Sequence, residues 1–135
     1  MTLKDQLSRD EGRSAVLYYD SANIPTIGIG RNLKRGLSED EIDYLFNNDF
    51  LNHSKDLIRA FPWVGDIDEI RRDVLINMVF NLGVVRLSGF HHFLAAMEAQ
   101  DWDGAARHML NSIWASQVKG RAFRLAQQVI TGVRQ

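Results

Sequence analysis

The sequence predicts an α+β fold, in which a small β-hairpin lobe and a larger helical lobe are joined by a long helix. Three observations carry that reading. Val16-Leu17-Tyr18-Tyr19 and Ile24 to Ile29 are runs of strand formers on either side of Asp20-Ser21-Ala22-Asn23, a turn-forming segment. Ser38 with Glu41 forms a capping box and opens a helical period through Ile42, Leu45, Phe46, Phe50, Leu57 and Ile58. From Asp66 or Asp68 a second strong period, through Ile70, Val74, Leu75, Met78, Val79 and Leu82, runs to a closing Gly83.

Thr2 and Asp5 cap a short first helix with Leu3 and Leu7 on one face, and Gly12 stops it near Glu11. Arg31 to Gly36 reads as a third short strand or a loop. The helix opened by Ser38 ends at Phe61-Pro62. The next helix carries Ile76 and Phe80 on a second face, which predicts burial on most sides. Asn77 on that helix is expected to be a core hydrogen-bonding residue. Helical pieces are expected at about 89–99, 101–112 and 121–131, with a turn around Trp114. The domain reading is one unit over 1–135: a β lobe at 12–37, a connecting helix at 38–61, and a helical lobe at 62–135 with helix 1–11 packed on it.

Composition narrows the function classes. The 135 residues are 45% hydrophobic and 24% charged, an ordinary globular balance for one domain. There is no cysteine, so neither a disulfide nor a thiolate metal site exists, which suits a reducing compartment. No secretory signal is read at the start, and the apolar stretch from Val74 to Leu82 is too short and too interrupted to span a bilayer, so a soluble protein without membrane insertion is expected. His53, His91-His92 and His108 lack the spacing of a metal site. The net charge of −1 hides an asymmetry: residues 1–50 hold nine acids and six bases, whereas no acid follows Asp103 and five bases do. Opposite walls of a cleft and ordinary solvated helix faces both fit that pattern. The basic tail lacks interleaved aromatics and a recognition motif, so no nucleic-acid partner is expected.

The chemistry concentrates between Asp10 and Gly30. Glu11 stands at a helix end, Asp20 at a strand end and Thr26 on the returning strand. Breaking a glycosidic bond takes one protonated carboxylic acid and a second, ionised carboxylate. The negative end of the helix dipole disfavours the Glu11 anion, as a general acid requires, while a turn keeps Asp20 wet and ionised. By spacing alone, surface charges and a turn-forming aspartate fit equally well.

The surrounding residues separate these readings. Asp10-Glu11-Gly12, Tyr18-Tyr19-Asp20 and Thr26-Ile27-Gly28-Ile29-Gly30 resemble the phage-type lysozymes, the endolysins and muramidases of glycoside hydrolase family 24. Ile76-Asn77-Met78-Val79-Phe80-Asn81-Leu82-Gly83 is similar to that family's core helix. Ser88-Gly89-Phe90, Trp102-Asp103, Trp114 and Gly120-Arg121-Ala122 are similar to its C-terminal helices. The resemblance implies a lysozyme-like fold with the active-site cleft between the lobes. It implies cleavage of the β-1,4 bond from N-acetylmuramic acid to N-acetylglucosamine, with Glu11 as general acid and Asp20 and Thr26 activating or positioning water. Gly30, Asn32 and Phe80 are the implied substrate-binding residues, and Arg121 the support of the catalytic acid. No cofactor and no metal are implied. The partner is bacterial peptidoglycan, acted on by a monomer that stays in the host cytoplasm until lysis and depends on a membrane-permeabilising holin for access. Water as the nucleophile, with inversion, wants carboxylates roughly 6.5–9.5 Å apart. Two departures stand out: Arg31-Asn32 where many relatives have a histidine after the glycine, and an abbreviated stretch between the hairpin and the connecting helix. A lytic transglycosylase and a non-catalytic wall-binding module are the rival readings.

Overall fold

The computed structural model describes residues 1–135. Its order is α1 (Leu3–Glu11), β1 (Ser14–Tyr19), β2 (Pro25–Gly28), β3 (Arg31–Asn32), α2 (Glu39–Ala60), α3 (Glu69–Leu82), α4 (Val84–Ser88), α5 (His91–Glu98), α6 (Trp102–Leu110), α7 (Ile113–Val118) and α8 (Gly120–Thr131). Short 3-10 turns cover Leu33–Arg35 and Pro62–Asp66. The α+β class is therefore as the sequence predicts. The chain forms two compact units, Met1–Leu45 and Phe46–Gln135, with the division inside α2.

In the first unit, α1 starts as its cap predicts. The Asp5 N–H donates to Thr2 Oγ1 at 3.2 Å and the Thr2 N–H to Asp5 Oδ2 at 2.7 Å. The Thr2 N–H, with the Thr2 hydroxyl donating to the same Oδ2 at 2.7 Å, holds the exposed Asp5 carboxyl below its ordinary pKa. The helix ends because Gly12 takes φ +79°, a left-handed conformation that other residues resist. The three strands pair antiparallel in sequence order. Thr26, on the central strand, faces Tyr18 on one side and Asn32 on the other. An irregularity in β1 falls between Ser14 and Tyr18, where the Ser14 hydroxyl donates to Val16 O at 2.7 Å. The Ser38–Glu41 capping box is present: the Ser38 N–H donates to Glu41 Oε1 at 3.0 Å and the Glu41 N–H to Ser38 Oγ at 3.2 Å.

In the second unit the core is built around α3. Val74, Leu75, Met78 and Val79 are fully buried with Leu57, Leu87, Phe93, Met97, Met109, Ala126 and Val129. Helical spacing on α3 sends these side chains inward, and each such burial contributes about 1.5–3 kcal/mol. The second face is less buried than its periodicity predicts: Phe80 is 37% exposed and Ile76 only partly covered. Polar bonds tie the elements at their ends. Arg72 donates to Val64 O at 3.0 Å and Ile67 O at 2.9 Å, Trp114 Nε1 to Asn81 Oδ1 at 2.8 Å, and Gln128 Nε2 to Ile70 O at 2.8 Å.

The structure corrects two expectations. The helix expected at about 89–99 is α5, but a further short helix, α4, precedes it over Val84–Ser88, where none is expected from the sequence. Val84-Val85 directly after Gly83 carries no capping signal and two β-branched residues, so α4 leaves no trace in the pattern. Trp114 lies in a helix, not a turn: Ser112 caps α7 by accepting the Ala115 N–H at 3.1 Å. The junction of α7 and α8 is strained, with Lys119 at φ +47° and ψ −110°. Lys119→Gly is expected to stabilise the protein by about 1 kcal/mol, since glycine adopts this conformation without the Cβ penalty. Thermal unfolding of the variant against the parent checks this, and an unchanged or lower midpoint contradicts it.

Candidate active site

The first unit holds five of the residues singled out in the sequence. Glu11 closes α1 with its side chain exposed. Its carboxyl rests against the backbone of Gly30, where a Cβ would stand 2.7 Å from Oε2 and 3.2 Å from Cδ. Gly30 also has φ +69°. The glycine serves two needs at once, a left-handed turn between β2 and β3 and room for the Glu11 carboxyl. Gly30→Ala is expected to displace that carboxyl and to cost about 1 kcal/mol of stability from the backbone, which thermal unfolding checks.

Asp20 sits in the turn between β1 and β2, and its own backbone holds it. Oδ1 accepts the N–H groups of Ala22 at 2.8 Å and Ile24 at 2.9 Å, which leaves Oδ2 without a hydrogen-bond partner. The Asp20 N–H donates to Ile24 O at 3.1 Å, and the Asn23 N–H to Asp20 O at 2.9 Å. Thr26 is 4% exposed, and its hydroxyl donates to Ile24 O at 2.8 Å. A hydroxyl has one proton and two lone pairs, so Thr26 Oγ1 with its proton engaged is left as an acceptor.

Asn32 carries a structural task as well, because Oδ1 accepts the Lys34 N–H at 2.9 Å and caps the following 3-10 turn. Arg31, the departure from the family pattern, pairs with Glu41 at 2.5 Å. With the Ser38 N–H, this guanidinium holds the Glu41 carboxyl below its ordinary value.

Phe80 and Arg121 lie in the second unit. The Phe80 ring packs on Phe46 at 5.6 Å and on His53 at 5.3 Å, and it lines a cavity of about 320 Å³ with Phe46, Phe50, Ile76, Asn77 and Arg121. Arg121 is held by one residue of α3: Nε donates to Asn77 Oδ1 at 2.9 Å, and Nη2 to the same oxygen at 2.7 Å and to Asn77 O at 3.2 Å. The hydrogen bonding expected of Asn77 is thus directed at Arg121. Its hold on that arginine has no signature in a single sequence, because the two positions are 44 apart.

A mixed helix-and-hairpin fold with two carboxylates and a threonine on and beside the hairpin has the parts of a glycoside hydrolase. Comparison with known proteins gives the family. Residues 8–129 match the phage lysozymes, and the chain belongs to that family of muramidase-class glycoside hydrolases. It is 29% identical over 162 aligned positions to the pre-baseplate central spike protein of Enterobacteria phage T4. That alignment covers 98% of this chain and 28% of the spike protein, so the chain spans little more than a quarter of that relative. It is 29% and 27% identical to "Probable T4-type lysozyme 1" and "Probable T4-type lysozyme 2" of Dictyostelium discoideum, covering 97% of this chain and 95% of each. Alignments of 161 and 162 positions against a chain of 135 residues mean that the relatives carry segments this chain lacks. No helix is long and apolar enough to cross a membrane.

Proposed function

We propose that this protein cleaves the β-1,4 bond between N-acetylmuramic acid and N-acetylglucosamine in peptidoglycan. Glu11 is the general acid that protonates the leaving oxygen, and Asp20 and Thr26 position and activate the attacking water. The observation that carries this reading is the pair of unused acceptor sites in the hairpin, Asp20 Oδ2 and the Thr26 hydroxyl oxygen, each left over after its partner site is taken by backbone. Two acceptors suit the two protons of one water. A transglycosylase, which uses the sugar's own hydroxyl as nucleophile, has no need of that pair. Gly30 and Asn32 border the bound glycan, Phe80 offers a ring to a sugar face, and Arg121 supports Glu11. The 1–135 segment acts as one lysozyme domain without a cofactor.

The same reading makes the protein a monomeric phage endolysin, held in the host cytoplasm until a holin or similar partner opens the inner membrane. Expression inside a Gram-negative bacterium tests the whole proposal. Cells are expected to keep growing until the inner membrane is permeabilised, and then to clear within minutes with release of reducing sugars. Intact cells after permeabilisation, with folded protein present, would overturn it.

A further inference from the structure

The turn that holds Asp20 also holds Thr26, and a single residue's backbone joins them. The Ile24 N–H donates to Asp20 Oδ1 at 2.9 Å, while the Ile24 carbonyl accepts from both the Asp20 N–H at 3.1 Å and the Thr26 hydroxyl at 2.8 Å. Ile24 precedes Pro25, which confines it to extended backbone. Its direction is set by the residue before it. Asn23 lies at φ +60°, the left-handed region, and this reversal turns the Ile24 N–H back onto the oxygen that already accepts from Ala22. Among side-chain-bearing residues, asparagine adopts this conformation with least strain.

We propose that Asn23 is a positioning residue: its left-handed backbone aims the Ile24 peptide, and through it fixes Asp20 Oδ2 and the Thr26 acceptor relative to one another. The inference rests on the assignment of Asp20 and Thr26 to the attacking water. Asp20 is exposed, so without the two N–H groups its carboxylate would sample several rotamers. Two acceptors that share one water need fixed separation, and a misplacement on the order of 1 Å is worth about a hundredfold in rate.

The test is steady-state hydrolysis of purified peptidoglycan by Asn23→Gly, Asn23→Ala and Asn23→Val, with circular dichroism and thermal unfolding as the check on folding. The demand on the backbone predicts a graded series in kcat. Glycine recovers most of the parent rate, alanine falls a few-fold, and valine falls about a hundredfold, while KM moves by no more than about twofold. The alanine variant keeps the series readable if valine unfolds the hairpin. A valine or alanine variant with parental kcat overturns the proposal, as does a loss carried by KM. A glycine variant as poor as valine also overturns it, since the side chain would then be acting. If the parent itself releases no products, the assignment of the reaction fails first. The hairpin claim is then read by NMR: the Ala22 and Ile24 amide protons, bonded to Asp20 Oδ1, should exchange slowly with solvent in the parent and fast in Asn23→Val. Protection that survives in the valine variant refutes the positioning role outright.

Discussion

Glu11→Gln is expected to slow glycan hydrolysis about a thousandfold while leaving the thermal midpoint unchanged. Glutamine keeps the size and planarity of the side chain, so it fits the space beside Gly30 that the absent Cβ leaves open. What it loses is the proton. The leaving sugar oxygen departs as an alkoxide unless it is protonated in the transition state, and an amide cannot supply that proton. Glu11 is exposed at the end of α1 and makes no ion pair within four ångströms, so the substitution removes no bond that holds the fold. Rate and stability should therefore separate cleanly. A variant retaining more than about a tenth of the parental rate would assign the proton to another group.

The second large effect is on stability. Arg71→Ala is expected to destabilise the protein by about 3 kcal/mol, a fall of roughly 10 °C in thermal midpoint. Arg71 gathers three elements. Nε donates to Val129 O at 2.6 Å and Nη2 to Ile130 O at 3.1 Å, which caps the carbonyl end of α8. Its guanidinium lies 4.3 Å from the centre of the Trp102 ring, and Nη1 bonds Asp68 at 3.2 Å. Charge-assisted hydrogen bonds from a mostly buried arginine are worth about 1.5–3 kcal/mol, and their loss leaves two helix-end carbonyls without donors. Gly132 shows how closely this fits: a Cβ there would stand 3.0 Å from the same guanidinium. The contact has an acid limit too. Burial works to raise the Asp68 carboxyl, but the Arg71 N–H and guanidinium outweigh it and hold the carboxyl below 3.8 in the fold. Its contribution is present above the unfolded value and is lost as pH falls through the folded one. The stability difference between parent and Arg71→Ala should therefore narrow in strong acid. A constant difference down to about pH 2 would place the effect outside the Asp68 contact.

Most of what is legible in the sequence comes from signals local in the chain. Thr2–Asp5 and Ser38–Glu41 each lie three residues apart, and each forms the capping box its spacing predicts. Gly12 and Gly83 mark helix ends because a left-handed φ is needed there. The elements that escape lack such marks: α4 starts on two valines, and α7 is six residues whose only local signal is Ser112. The proposed site divides in the same way. Glu11, Asp20 and Thr26 are legible through motif words that resemble a family. The bonds that orient them are not: the Ile24 carbonyl shared by Asp20 and Thr26 depends on a backbone angle at Asn23, and Arg121 finds Asn77 only in the folded chain.

Hydrolysis of peptidoglycan by addition of water across the muramoyl bond is reported directly by its products. Purified peptidoglycan would be digested with the parent and with Glu11→Gln, and the soluble fragments weighed by mass spectrometry. Muropeptides with ordinary reducing N-acetylmuramic acid ends are expected from the parent, and none above background from the variant. Ends lighter by one water, the 1,6-anhydro form, would contradict it and make the protein a transglycosylase. No fragments from a folded parent that still pellets with the wall would contradict it too, and would mean that the protein binds glycan without cutting it.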